Sequence, residues 1–377
     1  MAVIVIGADI CPIEGNKPYF VTGDAKGLLN DLLPELQQAD LCLANLECPL
    51  IETPSPVLKT GPVFGEPGAC IRGIRAASID VLCLANNHIA DHGAAGVKNT
   101  LKVCAEAGID TVGAGENLAA ARRFVIRNID GLRVAILAMA EHEFSIATPG
   151  SAGANPLDLM DFVRNVTAHR DQFDYLIVLV HGGDEFLVPS PRIKDTCHFI
   201  AEMGANAVIV QHPHVLGGYE QYRGVHIVYG QGALLMDEAI YRDRASFHEA
   251  FLVKLTVGTD RSLNMEIVPF TQSDPRPGAR RMPKDREEKF RRTLAERSAA
   301  IQDDEFVQTE WLKFCESNKH DYISGLLGHN RILSKLNCRG LLTRFLYNRR
   351  VMLGVRNTVL CETHREVIET IFNRRLL

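Results

Sequence analysis

The sequence predicts an α/β protein that is followed by a helical C-terminal region. Short apolar runs alternate with amphipathic segments as far as about residue 270, and the balance of charge changes sign shortly afterwards. Repeated alternation of strand and helix is typical of α/β domains, and 377 residues are enough for two domains. We therefore expect an α/β domain over residues 1–270, a linker over 271–283 and a basic helical region over 284–377.

The expected strands are short apolar runs, and the expected helices have apolar positions spaced by three or four residues. Strands are expected at Val3–Ile6, Leu41–Ala44, Val81–Leu84, Val134–Met139, Tyr175–Val180, Ala207–Val210, His226–Val228 and Phe251–Thr256. Helices are expected at Leu28–Gln38, Gly96–Ala107 and Pro191–Met203. A further helix with one apolar face is expected near the end of the chain, between Val359 and Phe372.

The C-terminal region differs from the rest of the chain in charge. Residues 276–377 carry a net charge of +8, whereas the remainder carries −13. The segment SDPRPGARRMP at 273–283 is rich in Pro, Gly and Arg, which is typical of a boundary. Three roles remain open for the region: a helical bundle on the first domain, a dimerisation or partner surface, and a basic amphipathic patch for an anionic membrane or polymer.

The composition is that of a globular protein, with 46% hydrophobic and 23% charged residues. No apolar run approaches the roughly 18 residues of a membrane-spanning helix, and MAVIVIGADI resembles a first strand more than a signal peptide. The ten cysteines are scattered without a C-x-x-C pair, which favours reduced thiols. We expect a cytoplasmic protein without a transmembrane segment and without a nucleic-acid partner.

Polar side chains collect where the expected strands end. Such residues follow five strands, and they are Asp9; Asn45 and Glu47; Asn86, Asn87 and His88; His181; and His212 and His214. In open α/β sheets ligands bind at the carboxyl ends of the strands. Five strand ends that each present Asp, Glu, Asn or His therefore predict one shared site.

The residue types in this site are those that bind transition metals. Imidazole nitrogens and carboxylate oxygens are ligands for Zn, Mn and Fe. Three histidines, two carboxylates and an asparagine are enough to hold two ions about 3.5–4 Å apart with a bridging carboxylate. Such a pair lowers the pKa of a bound water and stabilises negative charge on phosphoryl or carbonyl oxygen. In His212-Pro213-His214, the two imidazoles fall on the same side of an extended segment.

Seven motifs, in this order, resemble those of the CapA family. They are GAD (7–9), NLECPL (45–50), KTGPVF (59–64), LANNHIADHG (84–93), GAGEN (113–117), HGGDEF (181–186) and GANAVIVQHPHV (204–215). The resemblance runs from about residue 3 to about residue 235. It implies a fold similar to calcineurin-like metallophosphoesterases, an α/β/β/α sandwich, and an association with poly-γ-glutamate or other capsule synthesis.

The resemblance also implies roles for the polar residues. It assigns Asp9 to the first metal, Glu47 to the bridging position and Asn87 to the second metal. His181, His212 and His214 are the remaining imidazole ligands that it implies.

Other residues of these motifs are implied to act on the substrate. His88 would be the general acid for the leaving group, a task that suits imidazole because its ordinary pKa is about 6.5. Asp91 would orient His88 or cap the following helix. The substrate-binding candidates are Asn45, Lys59, Asn86 and Asp184. Two of them have an alternative role: Asn45 would hold Glu47, and Asn86 would satisfy loop backbone groups.

Three departures from the family pattern concern the surroundings of the ligands. Cys11 stands where calcineurin-like enzymes have the histidine of Asp-x-His, and His181-Gly182-Gly183 replaces His-Trp-Gly. Tyr-Gly-Gln-Gly-Ala-Leu at 229–234 replaces Tyr-Ser-Leu-Gly-Asn-Phe. These changes spare the expected metal ligands but alter the pocket walls, so the substrate is left open.

The leading hypothesis is a hydrolase with two divalent ions (Mn, Zn, Fe or similar) that acts on a phosphoester or related anionic substrate in the synthesis of a capsule or poly-γ-glutamate-type polymer. One alternative is metal-assisted amide or α-carbon (epimerase-type) chemistry on a peptide. Another is a non-catalytic scaffold in a polymer synthase complex. The expected partners are an anionic polymer precursor or small anionic substrate, and other proteins of the synthesis complex.

Overall fold

A computed structural model describes residues 1–59, 61–184, 186–238, 243–258, 262–326, 331–347, 349–360 and 364. The chain forms two compact units, Met1–Gln308 and Thr309–Leu377. Every residue that the sequence predicts to be functional lies in the first unit. The expected final helix falls partly on residues 361–363 and 365–372, which lie outside the described residues.

The strands of the first unit are β1 Ala2–Cys11, β2 Leu41–Leu46, β3 Leu50–Ile51, β4 Glu66–Pro67, β5 Val81–Cys83, β6 Asp110–Val112, β7 Ala114–Gly115, β8 Val125–Ile129, β9 Leu132–Ala140, β10 Gly153–Ala154, β11 Tyr175–His181, β12 Ala207–Gln211, β13 Tyr219–Tyr222, β14 Val225–Val228, β15 Ala233–Met236, β16 Glu249–Val257, β17 Leu263–Gln272 and β18 Ala279–Arg281. The α-helices are α1 Lys17–Thr22, α2 Ala25–Leu29, α3 Leu33–Gln37, α4 Ile71–Ala76, α5 Gly93–Glu106, α6 Leu118–Ala121, α7 Leu159–His169, α8 Pro191–Glu202, α9 Lys284–Ala300, α10 Asp304–Leu326, α11 Arg331–Leu336, α12 Leu341–Leu346 and α13 Arg349–Leu360.

Two sheets form the centre of the first unit. The first has the order β18-β17-β16-β1-β2-β5-β6, with β15 also paired to β1. The second has the order β13-β14-β12-β11-β9-β8. Strands β15, β1, β2, β5 and β6 are mutually parallel, and so are β14, β12, β11 and β9. Each parallel set brings its carboxyl ends to one edge of its sheet.

The sheets pack face to face, with helices outside. Along β9, Ala135 and Leu137 point into a core with Phe162 of α7 and Ile193 of α8, whereas Ile136 points into the larger core with residues of the first sheet. Helices α1, α2, α4 and α5 contribute further side chains to that larger core. The expected α/β/β/α sandwich with a C-terminal helical region is therefore confirmed.

All eight expected strands are present, and two of the three expected helices are continuous. Helix α8 begins as its sequence predicts, because Pro191 takes the first helical position and the Ser190 hydroxyl accepts a hydrogen bond from the backbone nitrogen of Ile193 at 3.3 Å. The expected helix at Leu28–Gln38 is wrong as a single element. It is divided into α2 and α3, because Asn30 has a φ of 44° and Pro34 occupies the first turn of α3.

Residues 271–308 pack with residues 1–270 in the first unit. The segment expected to be a linker contains β18, which pairs with β17. Helix α9 buries Phe290 and Leu294 in the larger core. The boundary between compact units therefore lies after Gln308, and independent folding of residues 1–270 stays a prediction. Among the described helices, none combines the length and apolar character needed to cross a membrane.

Candidate metal centre

Five acidic and imidazole side chains meet at the carboxyl ends of four strands, two from each sheet. Asp9 lies near the end of β1, and Glu47 directly follows β2. His181 ends β11, and His212 and His214 follow β12. The sequence therefore brings these residues together because each one lies at the end of a buried strand of the sandwich.

The five side chains form two groups that share one carboxylate. Glu47, His181 and His212 form one group, and Asp9, Glu47 and His214 form the other, with the ligand atoms of each group all within 4.8 Å of one another. Glu47 Oε2 lies 2.8 Å from His214 Nε2, and Glu47 Oε1 lies 3.5 Å from His181 Nε2. This is the arrangement expected of a carboxylate that bridges two ions.

The donors suit divalent cations. Asp9 and Glu47 are at most 1% exposed, and burying two adjacent carboxylates is costly unless cations compensate them. Burial and the neighbouring Glu47 charge raise the pKa of Asp9. Burial opposes ionisation of Glu47 as well, but the imidazole of His214 and its neighbours hold its pKa below the usual value. The set of imidazole and carboxylate donors fits Zn, Mn or Fe.

His181 is in the protonation state that a metal ligand needs. Burial, together with repulsion from His212, places its pKa well below the usual value. The ring is therefore neutral near pH 7, and a neutral imidazole is the form that binds a metal.

His212 has a backbone conformation that few side chains adopt. Its φ is 94°, and its backbone nitrogen donates to Asp9 Oδ2 at 3.0 Å. Such a conformation costs of order 1–3 kcal/mol and is concentrated at functional sites. The strained backbone at His212 therefore supports a functional role for this imidazole, because its position is kept despite the local conformational cost.

Two asparagines join the strand ends. Asn45 Nδ2 donates to Asp9 Oδ1 at 2.8 Å, and Asn86 Nδ2 donates to Asn45 Oδ1 at 3.0 Å and to the carbonyl of Leu46 at 2.8 Å. Asn86 Oδ1 accepts from the backbone nitrogen of His88 at 3.1 Å. The nitrogen and the oxygen of the Asn86 amide therefore both form hydrogen bonds within the protein. This favours the alternative role, in which Asn86 satisfies backbone groups of the loop. Substrate binding by Asn45 and Asn86 stays a prediction.

Asn87 lies against the first group of ligands. Its Oδ1 is 3.1 Å from His181 Nε2. Asp184 follows β11 by three residues and belongs to neither ligand group among the described residues. The structure therefore brings Asn87 to the expected centre, whereas a substrate-binding role for Asp184 stays a prediction.

His88 belongs to a buried triad beside the ligands. Its Nδ1 lies 2.7 Å from Asp91 Oδ2 and 3.2 Å from Lys59 Nζ. Asp91 also pairs with the ammonium of Lys59 and accepts from the backbone nitrogen of Phe64 at 2.7 Å. The closer contact is to the carboxylate, so we assign the Nδ1 proton to the bond with Asp91, which leaves Nε2 as the reactive nitrogen.

Sequence reasoning missed three residues that support the centre. Gln211 Nε2 donates to the carbonyl of Gly7 at 3.0 Å, and Gln231 Nε2 donates to that of Ile6 at 3.0 Å. The ring of Phe247 lies edge-on to His214, with centroids 6.0 Å apart. Gln211 adjoins the HPH motif and Gln231 lies in the 229–234 segment that departs from the family pattern, so both could have been found, whereas no local pattern marks Phe247.

The fold and the geometry define a protein with the metallophosphoesterase-like fold and a candidate metal centre made of two ligand groups. The family model described as "Bacterial capsule synthesis protein PGA_cap" matches residues 4–238. The match covers more than half of the chain, so the chain belongs to this family.

The chain is also similar to several known proteins. It is 31% identical to "Capsule biosynthesis protein CapA" of Bacillus anthracis over 225 residues. This alignment covers 57% of this chain and 54% of the Bacillus protein. It is 29% identical over 277 residues to a "Probable polyglutamine synthesis accessory protein" of Mycobacterium tuberculosis, covering 67% of this chain and 69% of that one. The chain thus spans about half the length of the Bacillus relative. A hypothetical protein from Thermus thermophilus superposes with a TM-score of 0.46 at 13% identity, over 71% of this chain and 99% of that one.

Proposed function

We propose that the chain is a metal-dependent hydrolase that cleaves a phosphoester or related bond in an anionic substrate during synthesis of a capsule or poly-γ-glutamate-type polymer. The observation that carries the proposal is the pair of ligand groups that share Glu47. The family and the names of the relatives support the link to polymer synthesis. A cytoplasmic location and partners in a synthesis complex belong to the same proposal.

The residues divide the task of holding the ions. Asp9, Glu47 and His214 would hold one ion, while Glu47, His181 and His212 would hold the other, with Asn87 beside the second. Bound divalent ions supply a water of lowered pKa and stabilise negative charge that builds on phosphoryl oxygen. Asn45 fixes the carboxylate of Asp9 through the 2.8 Å bond, so the ligand does not have to be ordered when metal binds.

His88 would handle the proton of the leaving group. The bond from Nδ1–H to Asp91 fixes the orientation of the ring. In the doubly protonated form of the ring, Nε2–H would donate its proton to the departing oxygen, which leaves the neutral Nδ1–H tautomer. Lys59, whose side chain is only 3% exposed, balances the charge of Asp91. We therefore propose that Lys59 holds the Asp91 carboxylate in place against His88, rather than meeting the substrate directly.

Metal content and turnover test the proposal together. The wild-type chain, loaded with Mn²⁺ and desalted, is expected to retain two ions and to hydrolyse an aryl phosphate. His214→Ala removes a ligand of one group, so we expect at most one retained ion and a fall in kcat of at least 100-fold. His142→Ala is the matched control, because this histidine is exposed and lies outside both ligand groups. Equal metal content in wild type and His214→Ala would contradict the proposal.

A further inference from the structure

A cavity of about 270 Å³ lies between helix α9 and the loops that follow the metal-ligand strands. Leu187, from the loop after β11, and Leu216, from the loop after β12, line it together with Ser246, Lys289 and Arg297. We name this space the α9 cavity. Its size is slightly below the ~300 Å³ at which pockets for drug-sized ligands begin, so it suits one small group.

Residues next in the chain to the lining of the α9 cavity reach the candidate metal centre. Leu216 is two residues beyond His214, and Ser246 immediately precedes Phe247, whose ring lies against the imidazole of His214. The loops after β11 and β12 also begin at the ligands His181 and His212. The same edge of the sandwich therefore carries both the ligands and this cavity.

The lining of the α9 cavity is positively charged. It contains Arg286, Lys289 and Arg297 but only one acidic residue, Glu249. Arg286 is already matched, because it bonds to Glu249 at 2.9 Å and to Asp274 at 2.8 Å. Two cations remain without a matching carboxylate among the described residues.

The two unmatched cations differ in their other contacts. Arg297 donates to the carbonyl of Leu216, which uses one of its five N–H groups, and burial lowers its pKa. Lys289 is exposed, and within the described part of the chain its ammonium makes no hydrogen bond or ion pair. A fixed guanidinium and a free ammonium at one cavity are suited to binding an oxyanion.

We propose that the α9 cavity is a second oxyanion site, which binds a carboxylate or phosphate group of an extended anionic substrate while another part of that substrate lies at the metal centre. The proposal rests on the proposed function for the reacting end of the substrate. In this proposal helix α9 takes a direct part in substrate recognition. The sequence alone places this basic helix in a separate region. The substrate class is accordingly a molecule with at least two separated negative groups.

Binding to metal-free protein tests the α9 cavity without involving catalysis. The full chain is treated with a chelator and titrated by calorimetry at low salt with inorganic phosphate and, separately, with a linear glutamate hexamer. We expect saturable binding of at least one probe, and Lys289→Glu is expected to weaken it roughly tenfold, because attraction becomes repulsion. Arg292→Glu, an equal change of charge at an exposed position of the same helix outside the cavity, is expected to change Kd less than twofold.

The probes distinguish the source of the oxyanion. Tighter binding of the hexamer assigns the cavity to carboxylates, and tighter binding of inorganic phosphate assigns it to a phosphoryl group. Lack of saturable binding by either probe, or an equal loss in Lys289→Glu and Arg292→Glu, would overturn the proposal. Because no metal and no turnover enter this measurement, it succeeds or fails independently of the hydrolase proposal.

Discussion

At the scale of single residues, the assignment of His88 as proton donor depends on which groups contact its ring. Asp91 is buried and accepts from three groups, which are the imidazole of His88, the ammonium of Lys59 and the backbone nitrogen of Phe64. The ring of Phe64 covers one side of the imidazole, with centroids 4.6 Å apart. His88 therefore has one bonded nitrogen, one available nitrogen and little freedom to rotate.

A leaving-group series tests this assignment. His88→Asn is expected to lower kcat by roughly 100-fold on phenyl phosphate, because a general acid contributes about 10²–10⁴-fold when the leaving oxygen is basic. The loss should shrink to less than about tenfold on a dinitrophenyl ester, whose leaving oxygen needs no proton. Steady-state kinetics measure both losses, with metal content checked in each variant.

His92→Asn supplies the control for that series. His92 is also buried, and its Nδ1 accepts from the backbone nitrogen of Ser55 at 2.7 Å, but it lies outside the ligand groups. We expect no dependence of its effect on the leaving group. An equal loss for His88→Asn on both esters would show that His88 is not the proton donor.

The predictability of individual residues follows from where they lie. Asp9, Glu47 and His181 could be grouped from sequence because each directly follows or ends an apolar run, and parallel strands share an edge. The contact of Asp91 with His88 could be predicted, but its ion pair with Lys59 could not, because Lys59 comes from a loop without strand or helix periodicity. The Lys59 side chain was expected to meet a substrate, and only the tertiary structure shows its pairing with Asp91.

At the scale of elements, strand β1 determines the position of Asp9 through an irregularity. Its register with β2 shifts between Ile6 and Asp9, and its register with β15 shifts after Asp9. Gln231 donates to the carbonyls of Ile6 and Phe251 at 3.0 and 3.1 Å, in the buried space beside this irregularity. The glutamine side chain thus bonds one carbonyl of β1 and one of β16 beside this irregularity.

Replacing this glutamine should destabilise the first unit. Gln231→Leu leaves two buried carbonyls without these donors, and we expect a loss of about 1–3 kcal/mol in the free energy of unfolding. Urea denaturation measures the loss. Gln221→Leu, on the exposed face of β13, is the matched control and should change stability by less than about 0.5 kcal/mol. A loss as small for Gln231→Leu as for the control would contradict this account of β1.

A strand or helix could be predicted where its sequence pattern matches its burial in the structure. Strand β11 is buried at every position and reads as a continuous apolar run, as buried parallel strands do. Strand β17 escaped detection because its first half alternates between half-buried and exposed positions and Pro269 interrupts the second half. Its assignment depends on nine paired positions with β16, which are not visible in the sequence.

At the scale of the whole molecule, helix α9 packs into the core of the first unit although its sequence is highly charged. The helix is rich in Lys, Arg and Glu, yet Phe290 and Leu294 are 4% and 1% exposed. The ring of Phe290 meets that of Phe251 in β16, with centroids 6.3 Å apart. Net charge describes the solvent face of a helix, and a few apolar positions on the other face are enough to attach it to a core.

Truncation tests the extent of the first unit. A chain that ends at Gln308 is expected to keep a cooperative thermal transition within a few degrees of the first unit in the full protein. A chain that ends at Pro283 loses the burial of Phe290 and Leu294, which is worth roughly 3–6 kcal/mol and is comparable to the total stability of many domains. We expect it to melt far lower or to be insoluble. Circular dichroism decides between these outcomes, and an unchanged transition for the shorter chain would support the predicted boundary at 271–283 and contradict a structural role of α9 in the first unit.

Strands that are distant in sequence bring their end residues together, and we propose that these residues hold two cations. The most direct test is a crystal structure of the full chain soaked in Mn²⁺, with anomalous difference density measured above the manganese absorption edge. We expect two peaks, one bound by Asp9, Glu47 and His214 and the other by Glu47, His181 and His212. Absence of both peaks at saturating Mn²⁺, or peaks bound by other residues, would contradict it.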